Sequence, residues 1–188
     1  KVQFITHKIK SIFMGLDMYL YKKTYVQQRK HNKPEDQFKV TVKRGGKAYK
    51  AIDPKLICYV TEQVGYWRKF NALHNWFINE CAEGVDDCKD VYVSDTKMEE
   101  LLEVLHKVQL SLLSSPKKTL SVKAGWGPNG DIMEDIEVFT DTSVAEELFP
   151  SASGFFFGGT EYGEYYLEQV GKTLELVESL ISEPGGDF

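Results

Sequence analysis

The amino-acid sequence predicts an α+β fold, a single domain in which three main helices pack on a small antiparallel sheet. Three observations lead there. Alternating segments broken by "RGGK" and "GPNG" mark β-hairpins, because glycine accepts the positive φ of tight turns. Three long segments repeat apolar residues every three or four positions, the period of an amphipathic helix. Finally, 188 residues with no long Gly/Ser/Pro-rich linker fit one domain.

Taken in order, "LDMYLYKKTYV" (Leu16–Val26) is aromatic and β-branched and predicts a strand. "RKHNKPED" is a loop, and "QFKVTVKRGGKAYKAI" alternates about Gly45 and Gly46 as a hairpin. "DPKLICYVTEQVGYWRKFNALHNWFINECAEG" opens on Asp53 as N-cap and Pro54 in the first turn. Ile57, Val60, Val64, Trp67, Phe70, His74, Phe77 and Cys81 then share one face, predicting a long helix, kinked or divided at Gly65 and ended by Gly84. "DVYVSD" is a short strand. Thr96 and Glu99 have capping-box spacing before a stripe of Met98, Leu101, Leu102, Leu105, Val108 and Leu112. "TLSVKAGW" and "DIMEDIEVFTD" flank "GPNG" as a second hairpin, and Ser143 with Glu146 caps a short helix ending near Pro150. "GFFFG" reads as a buried strand. From Thr160 onward Tyr162, Tyr166, Val170, Leu174, Val177 and Ile181 mark the last helix. The domain is assigned to residues 14–183, with 1–13 as an extension ahead of Met14 and 184–188 as a tail.

Composition removes several classes. An apolar fraction of 42% with 13% aromatics describes a packed domain rather than a disordered chain. No apolar run approaches the ~20 residues that span a bilayer, so no membrane partner is expected. The opening "KVQFITHKIKSIF" lacks the apolar core and cleavage site of a targeting peptide. Cys58, Cys81 and Cys88 are odd in number without CxxC spacing, as reduced cytoplasmic thiols would be. His7, His31, His74 and His106 have no metal-ligand spacing, and neither metal nor cofactor is expected. HExxH, GxSxG and Walker A motifs are absent, which favours a binding protein over an enzyme.

Charge is segregated. Residues 1–50 hold 13 Lys/Arg against 3 Asp/Glu, whereas residues 131–188 hold 1 against 14, within a net charge of −5. Such asymmetry marks an interaction surface unless the two ends pack together. Glu164, Glu168, Glu175 and Glu178, on outer faces of the last helix, are the interaction-surface candidates. Basic residues in 22–50, with Tyr21 and Tyr25 among them, offer phosphate and stacking contacts to nucleic acid.

One polar constellation stands among aromatics. In "GYWRKFNALHNWF", Arg68, Asn71 and Asn75 fall at helical spacing on one side, with His74 nearer the apolar face. A guanidinium fork there suits a carboxylate, a phosphate or a base edge. The same residues also suit a hydrogen-bonded core that fixes helix packing. Asp17, an acid within an apolar strand, suits a partner of Arg68 or a site carboxylate, and equally an acid on an edge strand. Glu161 and Tyr162 follow the "FGG" turn, where backbone N–H groups can hold an anion, although Gly158 and Gly159 with Thr160 as cap equally describe a tight turn into a helix. The ligand-binding candidates are therefore Asp17, Arg68, Asn71, His74, Glu161 and Tyr162.

"MGLDMYL" (Met14–Leu20), "VGYWRKFNALHNWF" (Val64–Phe77) and "SGFFFGGTEYGEYYLE" (Ser153–Glu168) together resemble a family of small proteins encoded by phages, prophages and bacterial genomes, mostly without assigned biochemical role. Members of that family often carry an acidic residue where Gly163 stands here. The resemblance implies residence in the cytoplasm of a bacterial host and two function classes. One is an accessory protein that binds and inhibits a host protein or ribonucleoprotein, such as a CRISPR or restriction nuclease. The other is a nucleotide- or small-molecule-binding protein, with enzymatic activity left open, whose site surrounds Arg68 and His74.

Overall fold

A computed structural model describes residues 2–6, 15–27, 33–128, 130–154 and 157–182. Along the chain run β1 (Val2–Thr6), β2 (Asp17–Tyr25), β3 (Lys43–Arg44), β4 (Lys47–Ala48), β5 (Tyr59–Arg68), α1 (Asn71–Cys81), β6 (Val91–Val93), α2 (Asp95–Ser114), β7 (Lys117–Gly127), β8 (Gly130–Phe139), α3 (Ser143–Leu148) and α4 (Glu164–Ser182). The α+β expectation holds, with α1, α2 and α4 as the three main helices.

The principal sheet is antiparallel in the order β5-β2-β1-β6. Alternation along β2 buries Met18 and Leu20 completely and turns Asp17, Tyr19 and Tyr21 to the other face. Opposite them on β5, Trp67 pairs with Met18 and Gly65 with Leu20. Gly65 is required there, since a Cβ would lie 2.5 Å from the Trp67 ring and 3.0 Å from Leu176. Trp67 Nε1 donates to the buried Thr173 hydroxyl at 2.8 Å, tying the sheet to α4.

Two expectations are corrected in this sheet. Residues 2–6, assigned to an extension, form β1 between β2 and β6, as the β-branched and aromatic run "VQFIT" allows. The predicted helix from Asp53 to Gly84 is instead a strand, a sharp turn and a shorter helix. Asp53 does accept from Lys55 N, but the helical turn it caps spans only Pro54–Leu56. Tyr59–Arg68 then pairs with β2 along its length. Val60, Val64 and Trp67 match a helical period only by coincidence, and the ladder to β2 decides. Lys69 turns the chain at φ 58°.

Three helices cover the inner face. Leu73 and Phe77 of α1, Met98, Leu101, Leu105, Val108 and Leu112 of α2, and Tyr166, Val170 and Val177 of α4 meet in one core. The first cap of α2 is Ser94, which accepts from Lys97 N, rather than Thr96. At α3, Asp141 accepts from both Ser143 N and Ser143 Oγ, so the expected Ser143–Glu146 box is displaced. The last helix starts at Glu164, later than Thr160, and Tyr162 precedes it.

The described residues of 151–163 form no regular strand, correcting the "GFFFG" expectation; Phe155 and Phe156 lie outside them. Gly163 meets Val138 in an isolated antiparallel bridge, and Phe139 N donates to Tyr162 O at 2.9 Å. β3 and β4 form the expected hairpin, shortened to two residues a side, and β7 and β8 form the second as a separate two-stranded sheet. The expected tail at 184–188 and the basic residues Arg29 and Lys30 lie outside the described residues. Among those described, no helix is long and apolar enough to cross a membrane.

Candidate functional site

The six ligand-binding candidates do not converge on one pocket. Asp17 and Arg68 are brought together as cross-strand partners at the end of the β2–β5 ladder, on the face turned away from the helices. A Cβ at Gly15 would touch the Arg68 guanidinium at 3.6 Å and the Asp17 carboxylate at 3.8 Å. Tyr66, which strand alternation puts on the same face, donates to Asp17 Oδ1 at 2.6 Å. That hydrogen bond raises the Tyr66 phenol above its usual range, with slight burial and the Asp17 charge adding to the effect. The Tyr19 and Tyr66 rings pack with centroids 5.2 Å apart. This patch is an acid, a guanidinium and two tyrosines on an open sheet face. Reading 59–68 as a helix hid Tyr66; strand alternation is the signal that finds it.

Asn71 and His74 serve the interior. Asn71 Nδ2 donates to Phe157 O at 3.2 Å and to Gly159 O at 2.8 Å, and its Oδ1 accepts from Ala152 N at 3.1 Å. Asn75 donates to Pro150 O at 3.3 Å. The two amides of α1 thus hold the segment 150–159 against the helix. His74 is buried, edge-on to Phe157 at 5.3 Å, with Nε2 at 3.7 Å from Asp86 Oδ2. The hydrogen-bonded-core reading describes Asn71 and Asn75 well, since buried polar groups need such partners.

Glu161 and Tyr162 do not reach Arg68. Tyr162 Oη accepts from Ser151 N at 3.1 Å, and its ring lies 4.8 Å from that of Tyr166. The Glu161 carboxylate folds back over Gly159, leaving no room there for a Cβ. The residue that does reach Arg68 is Tyr165, whose hydroxyl donates to the Arg68 carbonyl at 2.6 Å. Gly158 packs on Lys69, the residue in the left-handed region. The "FGG" glycines therefore close the loop on α1; no described group marks them as an anion cradle.

Two carboxylates of the acidic helix face lysines and a third faces an imidazole. Glu164 pairs with Lys117, Glu168 with Lys172 at 2.6 Å and Glu178 with His106 at 3.0 Å, whereas Glu175 has no cation within reach among the described residues. In the basic segment, Lys22 is buried, Lys23 lies over the Tyr59 ring and Arg44 over Tyr49. No group of three or more His, Cys, Asp or Glu side chains is arranged to hold a metal among the described residues.

The exposed apolar surface concentrates elsewhere. Along the β7–β8 hairpin Leu120, Trp126, Ile132 and Met133 are exposed, Trp126 at 80%. Register places Leu120 opposite Ile136, and Val122 and Ile132 on that same face, an apolar row interrupted by Glu134 opposite Val122. The opposite face carries Lys123, Met133, Trp126, Asp135 and Glu137, with Lys123 bonded to Asp131 at 2.8 Å and stacked on Trp126. Beside the hairpin a cleft of about 650 Å³ runs between Val122 and Ile136 on one side and Gly159, Glu161 and Tyr165 on the other. The charge run of residues 131–188 hinted at this region, but no sequence signal shows that the hairpin stands outside the core.

Compared with family models, with curated proteins and with solved structures, the chain has no match.

Proposed function

We propose that this protein works by docking on another macromolecule and blocking it. Its setting is the bacterial cytoplasm, as a phage- or prophage-encoded accessory protein directed at a host protein or ribonucleoprotein such as a CRISPR or restriction nuclease. The observation that carries the docking role is the β7–β8 hairpin, which holds Leu120, Trp126, Ile132 and Met133 out in solvent. A two-stranded ribbon is marginal by itself in water, and an exposed apolar row is the usual sign of a partner surface. Asn71 and Tyr162, candidates for a small-molecule site, are already engaged within the fold.

The test is inhibition of a purified defence nuclease, with co-purification of the complex. Trp126→Ala combined with Ile132→Ser is expected to weaken binding at least tenfold at unchanged melting temperature. Absence of inhibition and of complex across such nucleases overturns the reading.

A second reading rests on the sheet face, where Asp17, Tyr66 and Arg68 offer a hydrogen-bond acceptor, a ring and a guanidinium side by side. Such a patch suits a nucleotide. A rise in melting temperature with nucleotide, removed by Arg68→Ala, is the result that supports it.

A further inference from the structure

We infer that β8 is a docking edge that takes an extended partner segment as an added antiparallel strand, and that this segment alternates basic and apolar residues. The inference rests on the docking reading and names how the partner is recognised. Three features of the same place lead to it.

The first is the backbone. β8 pairs with β7 on one side only; on the other, among the described residues, it meets only the isolated bridge at Gly163. Because Phe139 N donates outward to Tyr162 O, strand alternation turns the N–H and C=O of Glu137, Asp135 and Met133 outward as well. Residues 162–163 have therefore begun a third strand against the base of β8 and left the rest of the edge open. A partner segment entering the cleft between Ile136 and Glu161 continues that strand, the geometry of strand addition.

The second is the apolar face. Leu120, Val122, Ile132 and Ile136 line one side of the hairpin, with Leu120 at 40% and Ile132 at 52% exposure. An added strand places every second side chain beside Ile132 and Ile136.

The third is charge. Glu134, Asp135, Glu137 and Glu161 have no cation within 4 Å among the described residues; Lys123 is engaged by Asp131 and Lys117 by Glu164. Asp135 and Glu137 share the face opposite the aliphatic row. A strand laid along β8 thus meets Asp135 and Glu137 on one face and, on the other, Ile132 and Ile136 flanking Glu134, which suits basic residues alternating with Val/Ile. Opposite charges across neighbouring strands stabilise the pairing, and like charges oppose it.

The probe is a nine-residue peptide alternating lysine and valine, compared with a block-ordered peptide of the same composition and with one N-methylated at alternate backbone positions. Binding is read from the fluorescence of Trp126, with Trp126→Phe as the signal control. The alternating peptide is expected to bind at least tenfold tighter than either comparator. Asp135→Lys with Glu137→Lys is expected to remove binding. Asp135→Pro, which deletes one outward N–H and leaves the β7 ladder donors in place, is expected to do the same with the hairpin folded by circular dichroism. Equal binding of the block-ordered peptide, or full binding by the Asp135→Pro protein, overturns the inference, as does failure of the alternating peptide to bind. If a nuclease is inhibited equally by wild type and Asp135→Pro protein, the edge fails and the docking function survives. If the peptide binds as expected and no nuclease is inhibited, the edge stands and the nuclease target falls. Concentration-dependent dimerisation that consumes the edge, abolished by Asp135→Pro, assigns it to a second copy and overturns the partner assignment.

Discussion

Replacing Asn71 tests whether the polar stripe of α1 is structural. The side chain is 3% exposed and makes three hydrogen bonds to the segment 150–159, two donated by Nδ2 and one accepted by Oδ1. Asn71→Ala deletes all three. Each is worth about 0.5–1.5 kcal/mol net, because the freed Gly159 carbonyl is exposed and recovers water while the groups at Ala152 and Phe157 are only partly exposed. The sum is about 3 kcal/mol, a large share of the ~5–15 kcal/mol that holds a domain together. For a chain of this length that corresponds to a fall of roughly 6–12 °C in Tm. Asn75→Ala, which loses a 3.3 Å bond to Pro150 O and an exposed 3.2 Å bond accepted from Asn79, is the internal control at about 1–2 kcal/mol. Urea denaturation gives both values, with an unchanged slope showing that the unfolded state is not altered. Asn71→Asp adds a check of sign. It keeps the acceptor, loses both donors and faces a carboxylate towards two carbonyls, so its penalty shrinks as the pH is lowered and the introduced carboxyl is protonated. A loss under 1 kcal/mol for Asn71→Ala, or a loss of ligand binding without a loss of stability, refutes the structural role.

Further outcomes follow from single positions. Lys69 sits at φ 58°, so Lys69→Gly is expected to raise stability by about 1 kcal/mol in the same denaturation assay, and Lys69→Val to lower it. A Cβ at Gly163 would lie 2.7 Å from the Glu137 carbonyl, so Gly163→Ala is expected to open the bridge to β8 and speed amide exchange at Phe139. Thr173→Val leaves the buried Trp67 N–H without its acceptor and is expected to cost about 1–3 kcal/mol by thermal denaturation. Burial pushes the Cys81 thiol up to about 11, whereas Cys88 is exposed. Iodoacetamide at pH 8 followed by mass spectrometry is therefore expected to label Cys88 first. Cys81 gains reactivity as the pH approaches 11 and its thiolate forms.

What was legible in the sequence depended on whether one element decided its own structure. β2, the two hairpins and α2 carry their period and their turn residues locally, and each stands close to where pattern alone places it. β5 does not. Val60, Val64 and Trp67 fall at helical spacing, and only the ladder to β2, which exists once the chain has folded, makes the segment a strand. The turn that follows was hidden for a related reason, because it is a lysine, and not a glycine, that takes the positive φ. These two misreadings displaced the candidate site. On a helix, Arg68 belongs with Asn71 and Asn75; on a strand it belongs with Asp17 and Tyr66, while the asparagines turn inward to the 150–159 segment. The hairpin was legible as a hairpin, yet its significance was not, since alternation shows which side chains share a face and not whether anything covers it. The acidic bias of residues 131–188 gains its meaning from that placement. Spread over α4, part of it is met by Lys117 and Lys172, and Glu178 lies against His106. Along β8, Glu134, Asp135 and Glu137 have no cation within 4 Å among the described residues, and there they lie beside exposed aliphatic side chains. A solvated acidic face needs no apolar neighbour, and an apolar row in solvent favours association. The two together on one strand edge specify the character of a partner more closely than either does alone.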